Sequence, residues 1–379
     1  MPDTILITGG AGFIGRRLAR RALAAGWHVR ILDALVAQVH GANPVLPGWI
    51  SAECDLRLAD VRDADAVKQA AHSADLVVHL AAETGTGQSM YAMHRYTDVN
   101  VSGTARVFEA LQRESRCRRV IVASSRAVYG EGRYTCANCG PVFPPSREPE
   151  RLSRGEWDPP CPSCGGPIQS VPTDESSRTA PVSVYGTTKL SQELLAFNFS
   201  VATGVPVFAL RFQNVYGAGQ SLSNPYTGIL THFFNAVRRG DAPRVFEDGQ
   251  ESRDFVHVDD VTSAVVRAFD APLSGFDVVN VGAGTRTIIK ELADLIVTVA
   301  GRSEPPVIVG DYRVGDVRHS VADLHHAALA LGYRPEVPLA SGVREFLEWA
   351  GAEPVSGASE QSANRELAAM NLLRSAHDH

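Results

Sequence analysis

The stretch Gly9-Gly10-Ala11-Gly12-Phe13-Ile14-Gly15 follows directly on the apolar run Thr4-Ile5-Leu6-Ile7-Thr8 and directly precedes Arg16 to Ala25, which has helical periodicity and stops at Gly26. A short run rich in β-branched residues reads as a buried parallel strand. Glycines at positions 9, 12 and 15 allow a tight turn between strand and helix, and let the backbone approach a pyrophosphate at the helix N-terminus. A second strand, His28 to Leu32, ends in Asp33, 18 residues beyond Gly15. A carboxylate there binds the hydroxyls of an adenosine ribose and repels a 2′-phosphate, so NAD is expected over NADP.

The rest of the N-terminal half repeats strand and helix. Ala34 to Ile50 reads as a loop, Cys54 to Leu58 as a strand, Ala64 to Ala71 as a helix and Leu76 to Leu80 as a strand. Asp60 is placed to accept from an adenine amino group. Ala81 and Ala82 allow close approach to a cofactor, and His79 reads as a packed strand residue. Asn100 opens a helix, Val101 to Arg113, before the strand Val120 to Ser125. This alternation predicts an α/β fold, a Rossmann-type doubly wound parallel sheet with its ligand at the carboxyl ends of the strands. Ser125 lies at such an end.

Tyr185 and Lys189 stand four apart in a helically periodic segment, which puts them on one helix face. A free phenol has a pKa of about 10 and is a poor base at neutral pH. A nearby ammonium favours the phenolate, giving a base able to take a proton from a sugar hydroxyl.

Composition excludes some partners. A net charge of -6 gives no basic face for nucleic acid. No apolar run reaches the roughly 18 residues of a membrane span. The N-terminus lacks a basic stretch followed by an apolar one, so a cytoplasmic location is expected. Four of the six cysteines form two Cys-x2-Cys pairs. In the cytoplasm that pattern points to metal before disulfides.

Taken together, several short stretches resemble extended short-chain dehydrogenase/reductases of the NAD-dependent sugar-nucleotide epimerase/dehydratase family. They are Thr8 to Gly15, His79-Leu80-Ala81-Ala82, Ser124-Ser125-Arg126-Ala127-Val128-Tyr129-Gly130, Tyr185-Gly186-Thr187-Thr188-Lys189, Arg211 to Gly217 and Arg253 to Asp260. The resemblance implies a catalytic triad of Ser125, Tyr185 and Lys189. It implies cofactor contacts from Gly9, Gly12, Phe13, Ile14, Gly15, Asp33, Asp60, Val61, Leu80, Ala81, Ala82 and Asn100, with Tyr185 and Lys189. For a nucleoside-diphosphate sugar it implies contacts from Glu83, Ser125, Arg126, Asn214, Arg253, Arg313 and Asp316. The expected organisation is an NAD-binding domain over 1–217, with 255–275 returning to it, and a smaller substrate domain over 218–350. Within this, 276 to 345 is assigned to the substrate domain. Residues 351–379 form a tail, with a flexible linker from Glu353 to Ser362 and a short amphipathic helix from Asn364 to Arg374. A homodimer is expected.

One departure from the family pattern is large. About 60 residues separate Ser125 from Tyr185, and the extra segment, 131–170, holds Cys136, Cys139, Cys161 and Cys164. The spacing Cys-x2-Cys-x21-Cys-x2-Cys fits a zinc ribbon. Four thiolates fill a tetrahedral site and leave no position for chemistry, so structural zinc is expected. The segment is rich in Pro, Arg and Glu and has little apolar content to hold a shape otherwise.

The triad serves several reactions. By resemblance, a 4,6-dehydratase carries an Asp-Glu pair after its triad hydroxyl, and a sugar-nucleotide decarboxylase carries a Glu at the second of those positions. Here they are Arg126 and Ala127. A 4-epimerase needs only a base, a hydride acceptor and room for a keto sugar to turn, so that reaction is expected. The stretches Gln38 to Gly41 and Gln220 to Gly228, with the cysteine insert, most resemble the dTDP-L-rhamnose 4-epimerase branch, whose product is the 6-deoxy-L-talose epimer. A UDP-hexose or UDP-uronate 4-epimerase, a 4-ketosugar reductase and a non-catalytic NAD-binding scaffold stay open as alternatives.

Overall fold

The structure, a computed structural model, describes residues 3–113, 116–224, 226, 228–353 and 360–376. Its centre is a seven-stranded sheet, all of whose neighbouring strands run parallel. In spatial order the strands are Phe276–Val281, Val207–Phe212, Arg119–Ser125, Leu76–His79, Thr4–Thr8, His28–Asp33 and Asp55–Leu58. The order reverses beside Thr4–Thr8, where the chain leaves one half of the winding for the other. A crevice opens at such a point beyond the carboxyl ends of the strands.

Apolar layers cover both faces of the sheet. One contains Ile5, Ile7, Leu18, Val29, Ile31, Val78, Ile121, Phe208 and Leu210; the other contains Leu6, Val77, Val107, Phe108, Val120, Val122 and Phe199. Continuous burial of Leu76-Val77-Val78-His79 shows why these strands read as unbroken apolar runs. Local signals fix the helix ends. The Asp63 carboxylate accepts from the backbone N–H groups of Asp65 and Ala66 at the head of helix Ala64–Ala71. The Ser183 hydroxyl accepts from Gly186 N–H at the head of the 20-residue helix Val184–Thr203, and Gly204, at φ 73°, ends it.

A smaller lobe packs helices Ile229–Arg239, Ile289–Val299 and Leu339–Ala352 around Phe233, Phe234, Phe255, Leu292, Ile296 and Phe346. The insert is a three-stranded antiparallel sheet, Gly140–Val142, Tyr134–Cys136 and Ile168–Ser170. Its apolar cluster is only Tyr134, Cys136, Val142 and Cys161, with Ile168 against it.

Four expectations need correction. Phe276–Val281 is the seventh strand of the central sheet, paired with Val207–Phe212, so the boundary placed at 276 is too early. Helix His325–Leu331 also packs on this strand, and Ala327 and Leu331 join the sheet's core. The loop 34–50 contains two helices, Ala37–His40 and Gly48–Glu53, each too short to show a period. Asn100 does not open a helix; it lies in a π-helical turn, Asp98–Ser102, inside a helical run from Met93 to Leu111. The tail folds back: helix Glu360–Ala369 is followed by strand Leu373–Ser375, antiparallel to Asp311–Arg313. Residues 354–359 of the expected linker lie outside the described residues. Among the described residues no helix is long and apolar enough to cross a membrane.

Candidate active site

Two cavities meet at the carboxyl ends of the central strands. The larger, about 640 Å³, is lined by Gly9, Gly12, Phe13, Ile14, Gly15, Asp33, Asp60, Val61, Leu80, Ala81, Ala82, Tyr185 and Lys189. The glycines are required by space as well as by conformation. Gly9 has φ +70°, and a Cβ there would stand 2.8 Å from Ala81 N; one at Gly15 would stand 2.3 Å from Gly9 O. The loop therefore presents bare backbone to the cavity, as a pyrophosphate requires. Asp33 is buried at the cavity edge, where its carboxylate accepts from Ala11 N–H at 3.0 Å and Leu35 N–H at 2.9 Å. Asp60 lines the cavity paired with Arg62 at 2.7 Å. These features fit a dinucleotide with its adenosine end between Asp33 and Asp60.

The smaller cavity, about 290 Å³, is lined by Ser125, Arg126, Asn214, Arg253, Arg313 and Asp316 among others. Arg126 Nε donates to Asn214 Oδ1 at 2.7 Å. Burial pushes the Arg126 guanidinium down to about 10, with the Arg253 charge adding to the effect. Arg253 is buried and Arg313 lies over the Phe246 ring, 4.8 Å from its centroid. Three guanidinium groups facing one cleft match the charge of a diphosphate.

Ser125, Tyr185, Gln213 and Tyr226 line both cavities. Tyr185 thus stands where a ligand of one cavity meets a ligand of the other. Burial pushes its phenol up, while a hydrogen bond with Ser125 and the charge of Arg126 pull it down. Lys189 Nζ lies 5.8 Å from the Tyr185 ring centroid and donates to Ala123 O at 2.9 Å. Burial pushes Lys189 down to about 7, against the pull of Glu193. Arg126 thus adds a second positive charge near the phenol, beside that of Lys189. The catalytic helix is anchored to the sheet by Glu193, which takes both Arg211 Nε and Nη2, at 2.9 and 2.7 Å, and the Ser124 hydroxyl.

Two expected contacts fall elsewhere. Asn100 is fully buried behind the cavity wall: its Oδ1 accepts from Glu83 N–H at 2.8 Å, and its Nδ2 donates to Glu83 O and Thr188 Oγ1. It ties the loop after Leu76–His79 to the catalytic helix. Glu83 lines the larger cavity rather than the smaller, because Arg95 holds its carboxylate at 3.0 Å. His79 is packed between Thr8 and Thr104 hydroxyls, as its strand position suggested. Other lining residues were not singled out from the sequence. Glu251 is one: burial, then the charge of Glu247, pushes its carboxyl up, against the pull of Arg253. Its place two residues before Arg253 was the available signal.

Away from both cavities, the sulfurs of Cys136, Cys139, Cys161 and Cys164 all lie within 4.8 Å of one another. Gly140 and Gly165, at φ 73° and 72°, make the turns after each pair. Arg147, from the same insert, is buried between Glu131 and Glu247, 2.7 Å from the latter, and donates to Asp316 O at 2.9 Å.

The model of the NAD dependent epimerase/dehydratase family matches residues 5–149 and 162–282, breaking inside the insert. The chain is 38% identical to a dTDP-L-rhamnose 4-epimerase of Burkholderia thailandensis, over 92% of this chain and 95% of that protein. It is 30% identical to a UDP-glucose 4-epimerase of Mycolicibacterium smegmatis, over 91% and 97%. Among solved structures it resembles MoeE5 in complex with UDP-glucuronic acid and NAD, with TM-score 0.73 and 28% identity over 92% and 99% of the two chains. It also resembles the Thermotoga maritima UDP-glucose 4-epimerase with UDP-glucose, with TM-score 0.74 and 26% identity over 92% and 98%.

Proposed function

From the premise that this chain belongs to the NAD-dependent epimerase/dehydratase family, we propose that it is an NAD-dependent 4-epimerase of a nucleoside-diphosphate sugar, acting on dTDP-L-rhamnose. The observation that carries the reading is Tyr185 at the junction of the two cavities, with Arg126 and Ala127, not an acid pair, beside Ser125. The residues lining the larger cavity would hold NAD, which would supply a two-electron acceptor for the C4 hydride. Tyr185 as phenolate removes the C4 hydroxyl proton and later returns it. Ser125 donates to the C4 oxygen as charge develops there. Arg126, Arg253 and Arg313 hold the diphosphate, leaving the sugar free to turn and present its other face. The choice of dTDP-L-rhamnose rests on the Burkholderia relative. UDP-sugars are the second reading, favoured by the likeness to the Mycolicibacterium and Thermotoga UDP-glucose 4-epimerases.

The test is direct. Purified protein, denatured and analysed by mass spectrometry, releases NAD. Incubated with dTDP-L-rhamnose it forms the C4 epimer without consuming cofactor. Tyr185→Phe keeps NAD and loses turnover by a factor of about 100 to 10,000. Strict preference for NADP, stoichiometric cofactor consumption, or a near-normal rate in Tyr185→Phe rules the mechanism out. No turnover of any sugar nucleotide leaves the non-catalytic scaffold as the better reading.

For the insert we propose one structural zinc on Cys136, Cys139, Cys161 and Cys164. A tetrahedron with Zn–S bonds of about 2.3 Å has edges of about 3.8 Å. The separation of 3.6 Å between the Cys136 and Cys164 sulfurs supports that fit. A cytoplasmic homodimer completes the proposal. Free thiols suit a reducing compartment, and the apolar outer face of the catalytic helix suits a second copy of the chain.

A further inference from the structure

The C-terminal segment enters the substrate cleft, a role that sequence reading did not give it. Ala363, Asn364 and Leu367, on one face of helix Glu360–Ala369, line the same cavity as Ser125, Tyr185, Arg253 and Arg313. Ala363 and Leu367 are each only 3% exposed. Leu367 closes over Gly87, where a Cβ would meet its methyl groups at 3.4 and 3.5 Å. Gly87 belongs to the turn Thr86–Ser89, whose Ser89 hydroxyl accepts from Tyr185 N–H at 3.0 Å. The tail helix therefore lies at the reacting end of the cleft.

Two further links hold it there. The Glu366 carboxylate accepts from both the Tyr91 and Tyr226 hydroxyls, and Tyr226 lines both cavities. Beyond the helix, Leu373–Ser375 pairs with Asp311–Arg313, Leu373 opposite Arg313, and Val314 N–H donates to Leu372 O at 2.9 Å. The tail thus braces the strand that carries Arg313 while laying its helix over the sugar position.

Within that helix the Asn364 Oδ1 is buried and accepts no hydrogen bond from the described residues. A buried acceptor without a donor is costly. An ionised diphosphate offers only acceptors and cannot satisfy it. A sugar hydroxyl is a donor and can.

We propose that the C-terminal helix is a wall of the substrate cleft and that Asn364 is a specificity-determining residue, accepting from a hydroxyl of the sugar. This rests on the nucleotide-sugar reading above and deepens it. The two fail differently in one experiment on the full-length, NAD-loaded protein. Binding of dTDP-L-rhamnose, UDP-glucose and dTDP alone is measured by calorimetry in the Tyr185→Phe background, where no turnover intrudes, with and without Asn364→Ala. Alanine favours helix, so the variant keeps the fold. Losing the hydrogen bond is expected to weaken the better-bound sugar nucleotide by about tenfold. Binding of dTDP, which has no sugar beyond its phosphates, changes less than about twofold. The same sugar nucleotide, and dTDP to a smaller degree, is expected to slow tryptic cleavage at the exposed Arg365. Equal weakening of sugar nucleotide and dTDP, or unchanged affinity for both, overturns the role of Asn364. Unchanged cleavage at Arg365 overturns the wall. If neither sugar nucleotide binds even with Asn364 intact, the functional reading falls and takes this inference with it.

Discussion

Tyr185 is subject to opposing effects, and their balance sets the pH at which the site works. Burial raises the phenol, and the Ser125 hydrogen bond and the Arg126 charge lower it. Burial pushes Lys189 down as well, against the pull of Glu193. The sign of an Arg126 substitution follows. The phenolate is the working base; removing a cation that favours it moves the phenol further up. The turnover of Arg126→Met is therefore expected to rise with pH along a curve displaced to higher pH, by on the order of one unit. Its deficit against wild type is largest at low pH and shrinks in the alkaline range. Measuring kcat from about pH 6 to pH 11 for both proteins checks this, since that range extends past the pKa of a free phenol. Superimposable profiles would show that Arg126 does not act on the phenol. The strand-end place of Ser125 and the shared helix face of Tyr185 and Lys189 were legible because they follow from backbone periodicity; their reading as a triad came from the resemblance. The part of Arg126 was not, since it depends on burial and on which side chains face across the cleft.

At the level of elements, the insert 131–170 joins two properties. Its own apolar cluster is a handful of residues, yet Arg147 reaches from it into the buried pair with Glu247 and onto Asp316 O. Metal loss should therefore be felt in substrate binding. Structural zinc contributes about 10 kcal/mol or more to folding in small peptides. Elemental analysis is expected to find one zinc per chain. Cys161→Ser or chelation is expected to lower Tm by several degrees and to raise KM more than it lowers kcat, because Tyr185 and Ser125 sit outside the insert. A metal-free protein, or stripped protein with unchanged Tm and KM, would end the assignment. Elements whose ends carry local signals were readable: Ala64–Ala71, capped by Asp63, has the bounds expected from sequence. Phe276–Val281 was misplaced because an edge strand's partner is chosen by long-range packing, here against Val207–Phe212. The turn at Asn100 was missed because a π-helical turn has no period of its own. It forms where Asn100 can reach Glu83 and Thr188.

The whole molecule turns on helix Val184–Thr203, which serves two faces at once. Inward it buries Thr188, Lys189, Gln192, Glu193, Ala196 and Phe199 against the sheet and its flanking helices. Outward it shows Leu194, Phe197 and Val201, which are 57%, 47% and 70% exposed and spaced to share one side of the helix. An apolar stripe on the helix that carries the catalytic tyrosine suits association with a second copy of the chain, which would hold that helix from behind. The expected benefit is a more rigid catalytic helix. Sedimentation of the wild type should give twice the chain mass of 40.6 kDa. The pair Leu194→Glu and Val201→Glu, exposed positions that tolerate charge in an isolated chain, should give 40.6 kDa. The charged variant should keep NAD and some turnover while losing several degrees of Tm. A wild type that sediments at the mass of one chain over the micromolar range would remove the dimer. A charged variant that still sediments at twice that mass would move the interface to another face.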